Sequence, residues 1–269
     1  MGKPLDLVVL VKQVPDSGAD RVLRESNFTV DREASDSVVN EMDEYAIEEA
    51  LRLKGEHGGT VALLTMGPEQ AVTSIRKALQ MGADAAVHVT DAALAGSCAV
   101  KTSEVLAAAL GTLQWDLVLC GAESTDGQLC VIPAMLAQRL DVAALTGARQ
   151  LTIADADSTG ERVGTIQRQT ETGYQTIQAS LPAVVSVWDT INEPHYPTFR
   201  DIMAAKSKPV STLRLADLGI DAAEVGFFGA TSVVTSVVPR PPRGAGVVID
   251  AGADAGAKLV EFLASRKLV

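Results

Sequence analysis

Short apolar runs alternate with amphipathic segments through the first half of the chain. The runs cover residues 5–11, 60–65, 85–90 and 116–120. Runs that are almost continuously apolar, without alternation, are typical of parallel strands covered on both faces. Helical patterns separate them, so strand and helix alternate four times. This order predicts an α/β fold with an open, doubly wound, mostly parallel sheet.

The helices between these runs carry sequence signals at their ends. Asn40 stands before an apolar stripe of helical spacing, and Asp43 occupies the reciprocal position of a capping box. A helix is therefore expected to start at Glu41. Further helices are expected at residues 98–110 and 131–140, each after an apolar run.

The pattern changes after residue 160. Residues 162–179 alternate between apolar and polar positions, which predicts a β-hairpin with its turn at residues 171–173. The segment from Pro182 to Trp188 has the composition of another buried strand. The hairpin is thus expected to extend the parallel sheet.

Three parts of the chain follow from these patterns. Residues 1–190 are predicted to form the α/β core, residues 191–208 an irregular exposed loop, and residues 209–269 an extended C-terminal arm with a last helix near 254–266. The arm has too little apolar sequence for a core of its own, so we expect it to pack on another chain. The alternative is an arm wrapped around its own domain.

Composition narrows the classes of partner. The net charge of −11 and a pI near 4.8 oppose nucleic-acid binding, which requires a basic face, and no polybasic segment favours a membrane surface. No apolar run reaches the roughly 18 residues that would span a bilayer. Cys98, Cys120 and Cys130 form no C-x-x-C pair, which argues against a disulfide framework or a zinc site. A cytoplasmic protein is expected.

Candidate chemistry lies at the predicted carboxyl ends of the strands, where open sheets bind ligands. Residues 12–18, 66–68 and 121–130 form three such loops, and the third leads into a helix whose free N–H groups favour a phosphate without a lysine. Its acids then need other roles: Asp126 capping a turn or binding ribose hydroxyls, and Glu123 facing solvent or a partner's cation. Ordinary turn and capping chemistry explains the loop equally well.

Catalytic motifs are missing from the sequence. No G-x-G-x-x-G, Walker A or G-x-S-x-G pattern is present, and the three histidines have no metal-binding spacing. His88, on an apolar run, is interpreted as an interior histidine. Spacing alone therefore names no catalytic residue.

Several segments resemble one family, in order and over nearly the whole chain. They are VKQVPD (11–16), NEMDEYAIEEALRLK (40–54), TMGPEQAVTSIRKALQMGAD (65–84), DLVLCGAESTDG (116–127) and LPAVVSVWDTINEPHYPTFRDIMAAKSK (181–208). Together they resemble the β subunit of electron transfer flavoprotein. The hairpin also follows the signature of that family, except that Thr172 stands where an acid or glycine is usual.

The resemblance implies an electron carrier rather than a substrate-transforming enzyme. In this family the β subunit pairs with an α subunit, binds an AMP with a structural role, and contributes to one FAD held mainly by α. The flavin takes electrons from donor dehydrogenases, acyl-CoA dehydrogenases among them, and passes them to a quinone reductase or a similar acceptor. No direct membrane insertion is implied.

The resemblance also assigns site residues. The AMP positions fall on Leu10, Asn40, Glu41, Met42, Asp43, Met66, Gly121, Ala122, Glu123, Ser124, Thr125, Asp126, Gly127, Gln128, Leu129, Cys130 and Val131. Asp16 and Ser17, with Met42, correspond to positions near the flavin. Residues 191–208 correspond to a partner-recognition loop whose anchor falls on Phe199. The alternative for Phe199 is burial in its own domain.

One departure leaves alternatives open. Relatives carry glycines where this chain has Leu129 and Cys130, and side chains there would crowd a phosphate. A bifurcating β subunit with a second FAD in place of AMP is disfavoured, because STDGQLCV (124–131) does not match the loop of such proteins. A third hypothesis is a stand-alone regulatory module that binds adenine nucleotides.

Overall fold

A computed structural model describes residues 3–155, 161–244 and 246–269. Its strands are β1 Leu5–Leu10, β2 Gln13–Pro15, β3 Ser37–Val39, β4 Gly59–Met66, β5 Ala85–Val89, β6 Leu117–Gly121, β7 Ala143–Ile153, β8 Val163–Thr170, β9 Gly173–Ser180, β10 Ala183–Val187 and β11 Val210–Leu213. Its α-helices are α1 Glu41–His57, α2 Val72–Leu79, α3 Ala99–Leu110, α4 Ile132–Leu140, α5 Phe199–Ala205, α6 Gly226–Gly229 and α7 Ala255–Ser265.

Nine strands form one sheet in the order β11-β5-β4-β1-β6-β10-β7-β8-β9. All neighbours from β11 to β7 run parallel, whereas β8 and β9 add an antiparallel hairpin at one end. The predicted doubly wound, mostly parallel α/β fold with a hairpin extension is confirmed. Strands β2 and β3 form a separate two-stranded antiparallel ribbon.

Apolar side chains on the two faces of the sheet fill separate cores. On one face, Leu7 and Val9 of β1 pack with Ile47 of α1 and Ile75 of α2. On the other face, side chains of the central strands pack with those of α3 and α4, such as Val105 and Leu136. Burial on both faces explains the near-continuous apolar strands.

The central elements lie close to where the sequence predicts them. Helix α1 begins at Glu41, and α3 and α4 match the predicted ranges within one residue. The hairpin turns at Glu171 and Thr172, as predicted. His88 is an interior residue, and its Nε2 lies 3.2 Å from the carbonyl oxygen of Gly67.

The predicted C-terminal arm begins within the sheet. One compact unit extends to Thr235, and β11 forms its edge strand beside β5. Residues Ser236–Val269 form a second unit that contains α7. Packing of this second unit on another chain stays a prediction. None of the described helices is both long and apolar enough to cross a membrane.

Candidate functional site

Strands β4, β1 and β6 are neighbours, so the segments after their carboxyl ends meet at one edge of the sheet. Lys12 follows β1, and its Nζ lies 3.1 Å from Ser124 Oγ in the loop after β6. Leu10 is buried, and Met66 at the end of β4 packs against the same apolar cluster. Leu10 and Met66, predicted from separate segments, thus belong to one apolar cluster.

A buried carboxylate joins the start of α1 to the ends of two strands. Asp43 Oδ2 accepts the N–H of Lys12 at 2.7 Å, and its Oδ1 accepts the N–H of Gly121 at 3.3 Å and the Asn40 amide at 2.9 Å. Burial raises the pKa of Asp43 to about 7, although these three hydrogen bonds and the charge of Lys12 oppose the rise. Asp43 thus fixes the helix against the loop.

The predicted capping box at α1 is wrong. The Asn40 side chain makes no capping hydrogen bond to the helix. Its amide donates to the carbonyl oxygen of Glu123 at 3.0 Å, and its Oδ1 accepts the N–H of Thr125 at 3.0 Å. Asn40 binds the loop because both hydrogen-bonding groups of its amide find main-chain partners there.

Gly121 permits this close approach. A Cβ at this position would lie 2.5 Å from Met42 Cβ and 2.7 Å from Asp43 Oδ1. Any side chain would therefore separate α1 from β6. Glycine is required here because a Cβ would clash with α1, and not because of a positive φ.

Basic side chains from other segments form ion pairs with Asp126 in the loop. The Asp126 side chain is only 3% exposed, and it pairs with Lys12 at 2.8 Å and with Arg32 at 2.6 Å. Burial opposes ionisation, but the charge of Lys12, together with hydrogen bonds and Arg32, holds the pKa of Asp126 well below its usual range. Both carboxylate oxygens are thus engaged by cations, and a role of Asp126 toward ribose hydroxyls stays a prediction.

Residues between β2 and β3 extend to the same loop. Arg21 donates to the carbonyl oxygens of Thr125 and Asp126. Ser17 Oγ donates to Glu41 Oε1 at 2.8 Å, which places Ser17 beside the start of α1. Sequence reasoning missed Lys12, Arg21 and Arg32. Only Lys12 carried a local signal, because it lies in the predicted loop 12–18 directly after a strand.

The end of the loop offers main-chain donors. In the described part of the chain, the N–H groups of Leu129, Cys130, Val131 and Ile132 have no protein acceptor. They lie at the N-terminus of α4, where the helix dipole favours an anion. Thr125 Oγ1, in the same loop, is also buried without a hydrogen-bond partner. Uncharged donors suited to a phosphate are therefore present.

Two features make the fit of a phosphate less favourable. Cys130 has φ 54° and Gln128 has φ 51°, a left-handed conformation that glycine adopts at lower cost. The thiol of Cys130 also lies 3.2 Å from Glu123 Oε2, so a carboxylate stands near the donors. The loop thus offers main-chain donors of the kind that bind a phosphate, and the side chain of Cys130 narrows the space beside them.

Phe199 begins α5 and is 79% exposed. Thr198 and Asp201 form a capping box that fixes this first turn. The preceding loop is fastened to α1, since His195 Nδ1 lies 2.5 Å from Glu48 Oε2 and Asn192 donates to Tyr45 O. The Phe199 ring is therefore presented to solvent in the first unit and is not buried there.

Comparison with known proteins places this chain in a family. Residues 27–218 match the family described as "Electron transfer flavoprotein domain". The chain belongs to the electron transfer flavoprotein family. It is 44% identical to the electron transfer flavoprotein subunit beta of Mycobacterium leprae over 270 residues, which cover 98% of this chain and 99% of that protein.

More distant relatives agree with this placement. The chain is 34% identical to the electron transfer flavoprotein subunit beta of Thermoanaerobacterium thermosaccharolyticum, over 98% of this chain and all of that protein. It is also 35% identical to Protein FixA of Azotobacter vinelandii, over 88% of this chain and 84% of that protein. These matches support the role of an electron transfer flavoprotein β subunit.

Proposed function

We propose that this chain is the β half of a cytoplasmic heterodimer that carries electrons from donor dehydrogenases, such as acyl-CoA dehydrogenases, to a quinone reductase or a similar acceptor. In this proposal the chain binds one AMP structurally, and the α subunit holds most of the FAD. The observation that carries the nucleotide assignment is the loop 121–131, in which four successive main-chain N–H groups at the start of α4 have no acceptor in the described part of the chain.

Main-chain chemistry suits a structural nucleotide. Backbone N–H groups at a helix N-terminus bind a monophosphate without a dedicated cation, and an apolar wall suits an adenine ring. Of the cations near the loop, Lys12 and Arg32 are paired with Asp126, and Arg21 donates to main-chain carbonyl oxygens of the loop. The site therefore holds a ligand in place and needs no catalytic base.

Electron transfer from a donor tests the proposal. The chain is co-expressed with an α subunit, and the purified assembly is mixed with reduced acyl-CoA dehydrogenase while flavin absorbance is followed. We expect reduction of the bound flavin, because bound FAD accepts the electrons. A stable homodimer that binds adenine nucleotides, carries no flavin and does not assemble with α would instead support the stand-alone regulatory module.

A further inference from the structure

Residues 16–36, which connect β2 to β3, form a segment that we call the strap. The N–H of Asp16 donates to the carbonyl oxygen of Asp36 at 2.9 Å, so the two ends of the strap are joined. Every residue of the strap is partly or fully exposed. The position of the strap therefore depends on polar contacts rather than on apolar packing.

Two arginines of the strap contact neighbouring residues of the loop 121–131. Arg21 donates to the carbonyl oxygens of Thr125 and Asp126, the latter at 3.2 Å, and Arg32 pairs with the Asp126 carboxylate at 2.6 Å. The Asp126 side chain is consequently almost buried, whereas residues 127–130 are exposed. The strap thus fixes the middle of the loop and leaves the part with the free main-chain donors open.

The open part of the loop has a conformation that requires support. Gln128 and Cys130 both have a left-handed φ, which is costly for residues other than glycine and persists where surrounding contacts impose it. The N–H of Gln128 donates to the carbonyl oxygen of Ser124 at 2.9 Å, so this turn begins beside the residues that the strap holds. The free donors of residues 129–132 follow directly after the turn.

We propose that Arg21 and Arg32 are positioning residues for the nucleotide: they hold Thr125 and Asp126, and so keep the strained turn and the donors after it in the shape that binds a phosphate. The inference rests on the proposed function, which supplies the nucleotide. Both guanidinium groups act through the loop, because their hydrogen bonds go to loop oxygens. A loop that is already ordered loses less conformational freedom on binding, so its support contributes to affinity.

The test compares the affinity for AMP of heterodimers that contain variants of the full chain. Each variant is co-purified with the α subunit, and the Kd for isotope-labelled AMP is measured by equilibrium dialysis. Arg32→Gln should raise this Kd about tenfold, because the loop loses a charge-assisted hydrogen bond to Asp126. Arg21→Gln should raise the Kd as well, since it removes the contacts with two carbonyl oxygens.

Arg24→Gln is the matched control. It removes the same charge from the strap, but Arg24 pairs with Asp31 of the strap itself, at 3.3 Å. Arg24→Gln should therefore leave the Kd for AMP unchanged. Arg32 contacts Asp126 through a single nitrogen, so Arg32→Lys keeps this type of contact and should retain most of the affinity.

A double variant separates positioning from direct attraction between Arg32 and the phosphate. Glycine adopts the φ of 54° at position 130 without support, so Arg32→Gln should raise the Kd by a smaller factor in a Cys130→Gly background than in the wild type. Direct attraction by charge predicts the same factor in both backgrounds. If Arg32→Gln lowers the thermal stability of the heterodimer, Arg21→Gln is compared in the same two backgrounds, with the same expected result.

Adenosine shows which part of the site the strap supports. It lacks the phosphate, so its binding does not use the donors of residues 129–132. Arg32→Gln should therefore leave the Kd for adenosine unchanged while it raises the Kd for AMP.

Three outcomes would overturn the inference. They are equal AMP affinity of Arg32→Gln and Arg24→Gln, an equal effect of Arg32→Gln with and without Cys130→Gly, and an equal loss of affinity for adenosine and AMP. In each case the wild-type heterodimer still binds AMP, so the proposed function stands. A wild-type heterodimer that binds no AMP would instead contradict the proposed function itself.

Discussion

At the scale of single residues, the pKa values of two buried carboxylates in the site shift in opposite directions. Asp126 lies between Lys12 and Arg32 and is held ionised. Asp43 receives hydrogen bonds from neutral groups, and the charge of Lys12 is a smaller influence, so burial dominates and raises the pKa of Asp43 to about 7. Local charge, rather than burial alone, decides which acid titrates near neutrality.

Asp43 should make the stability of the chain depend on pH. The folded state binds the proton up to about pH 7, whereas the unfolded state releases it above the ordinary aspartate pKa of 3.8. The folded state therefore binds more protons in between, and the free energy of unfolding should fall as pH rises through this window. Asp43→Asn should lack this fall in urea unfolding at about pH 5 and pH 8.

The matched control for this prediction is Asp36→Asn, which removes an exposed carboxylate from the neighbouring ribbon. It should keep the wild-type pH dependence. A pH dependence that Asp43→Asn retains in full would show that another group is responsible.

Cys130 should weaken nucleotide binding through its backbone conformation. Cys130→Gly removes the cost of φ 54°, and we expect a gain in stability of up to about 1 kcal/mol together with tighter AMP binding. Cys130→Ala is the control, because it removes the thiol near Glu123 and keeps the Cβ. Calorimetric titration with AMP should rank glycine above both alanine and cysteine; equal gains for alanine and glycine would assign the effect to the thiol.

At the scale of elements, helix α1 links the two functional regions of the first unit. Its first turn is joined to β1 and β6 through Asp43, and its second and third turns hold the loop before α5 through Tyr45 and Glu48. A shift of α1 would therefore disturb both the loop 121–131 and the presentation of Phe199.

Gly121→Ala tests this link between α1 and β6. The added Cβ would meet main-chain and side-chain atoms of Met42, so the helix must move, and we expect a loss of about 2–3 kcal/mol in the free energy of unfolding. Gly55→Ala is the control within α1: its Cβ meets nothing within 4 Å, and it should stabilise the chain by about 0.5–1 kcal/mol. Equal stability of the two variants would contradict the close approach at Gly121.

Apolar patterning predicts the buried strands and their helices, since period and length carry the information. It misses β7, in which Gly147 interrupts the pattern, and the three-residue strands β2 and β3. It also misses the cations on Asp126, because Lys12 and Arg32 lie 114 and 94 residues away along the chain. Local pattern contains no information on such distant pairs.

At the scale of the whole molecule, the described site is a scaffold. Its buried charges join loops and a helix, and its open donors are main-chain groups. Such an arrangement supports a structural ligand and a redox cofactor held by another chain. The electron transfer role rests on membership of the family, whereas this division between the two chains is the proposal.

Phe199 should couple the heterodimer to its donor. Phe199→Ala should reduce the rate of flavin reduction by the donor about tenfold or more and leave the flavin content unchanged, because an exposed aromatic anchor contributes mainly to docking. Phe228→Ala is the control, since that ring is 95% exposed in a different segment. Equal donor coupling in Phe199→Ala and wild type would contradict the anchor.

The composition of the purified assembly tests the central claim most directly. The chain is co-purified with its α subunit, bound small molecules are released by denaturation, and FAD and AMP are quantified by mass spectrometry. The account predicts one FAD and one AMP per heterodimer. Two FAD per heterodimer, or FAD without any adenylate, would contradict it.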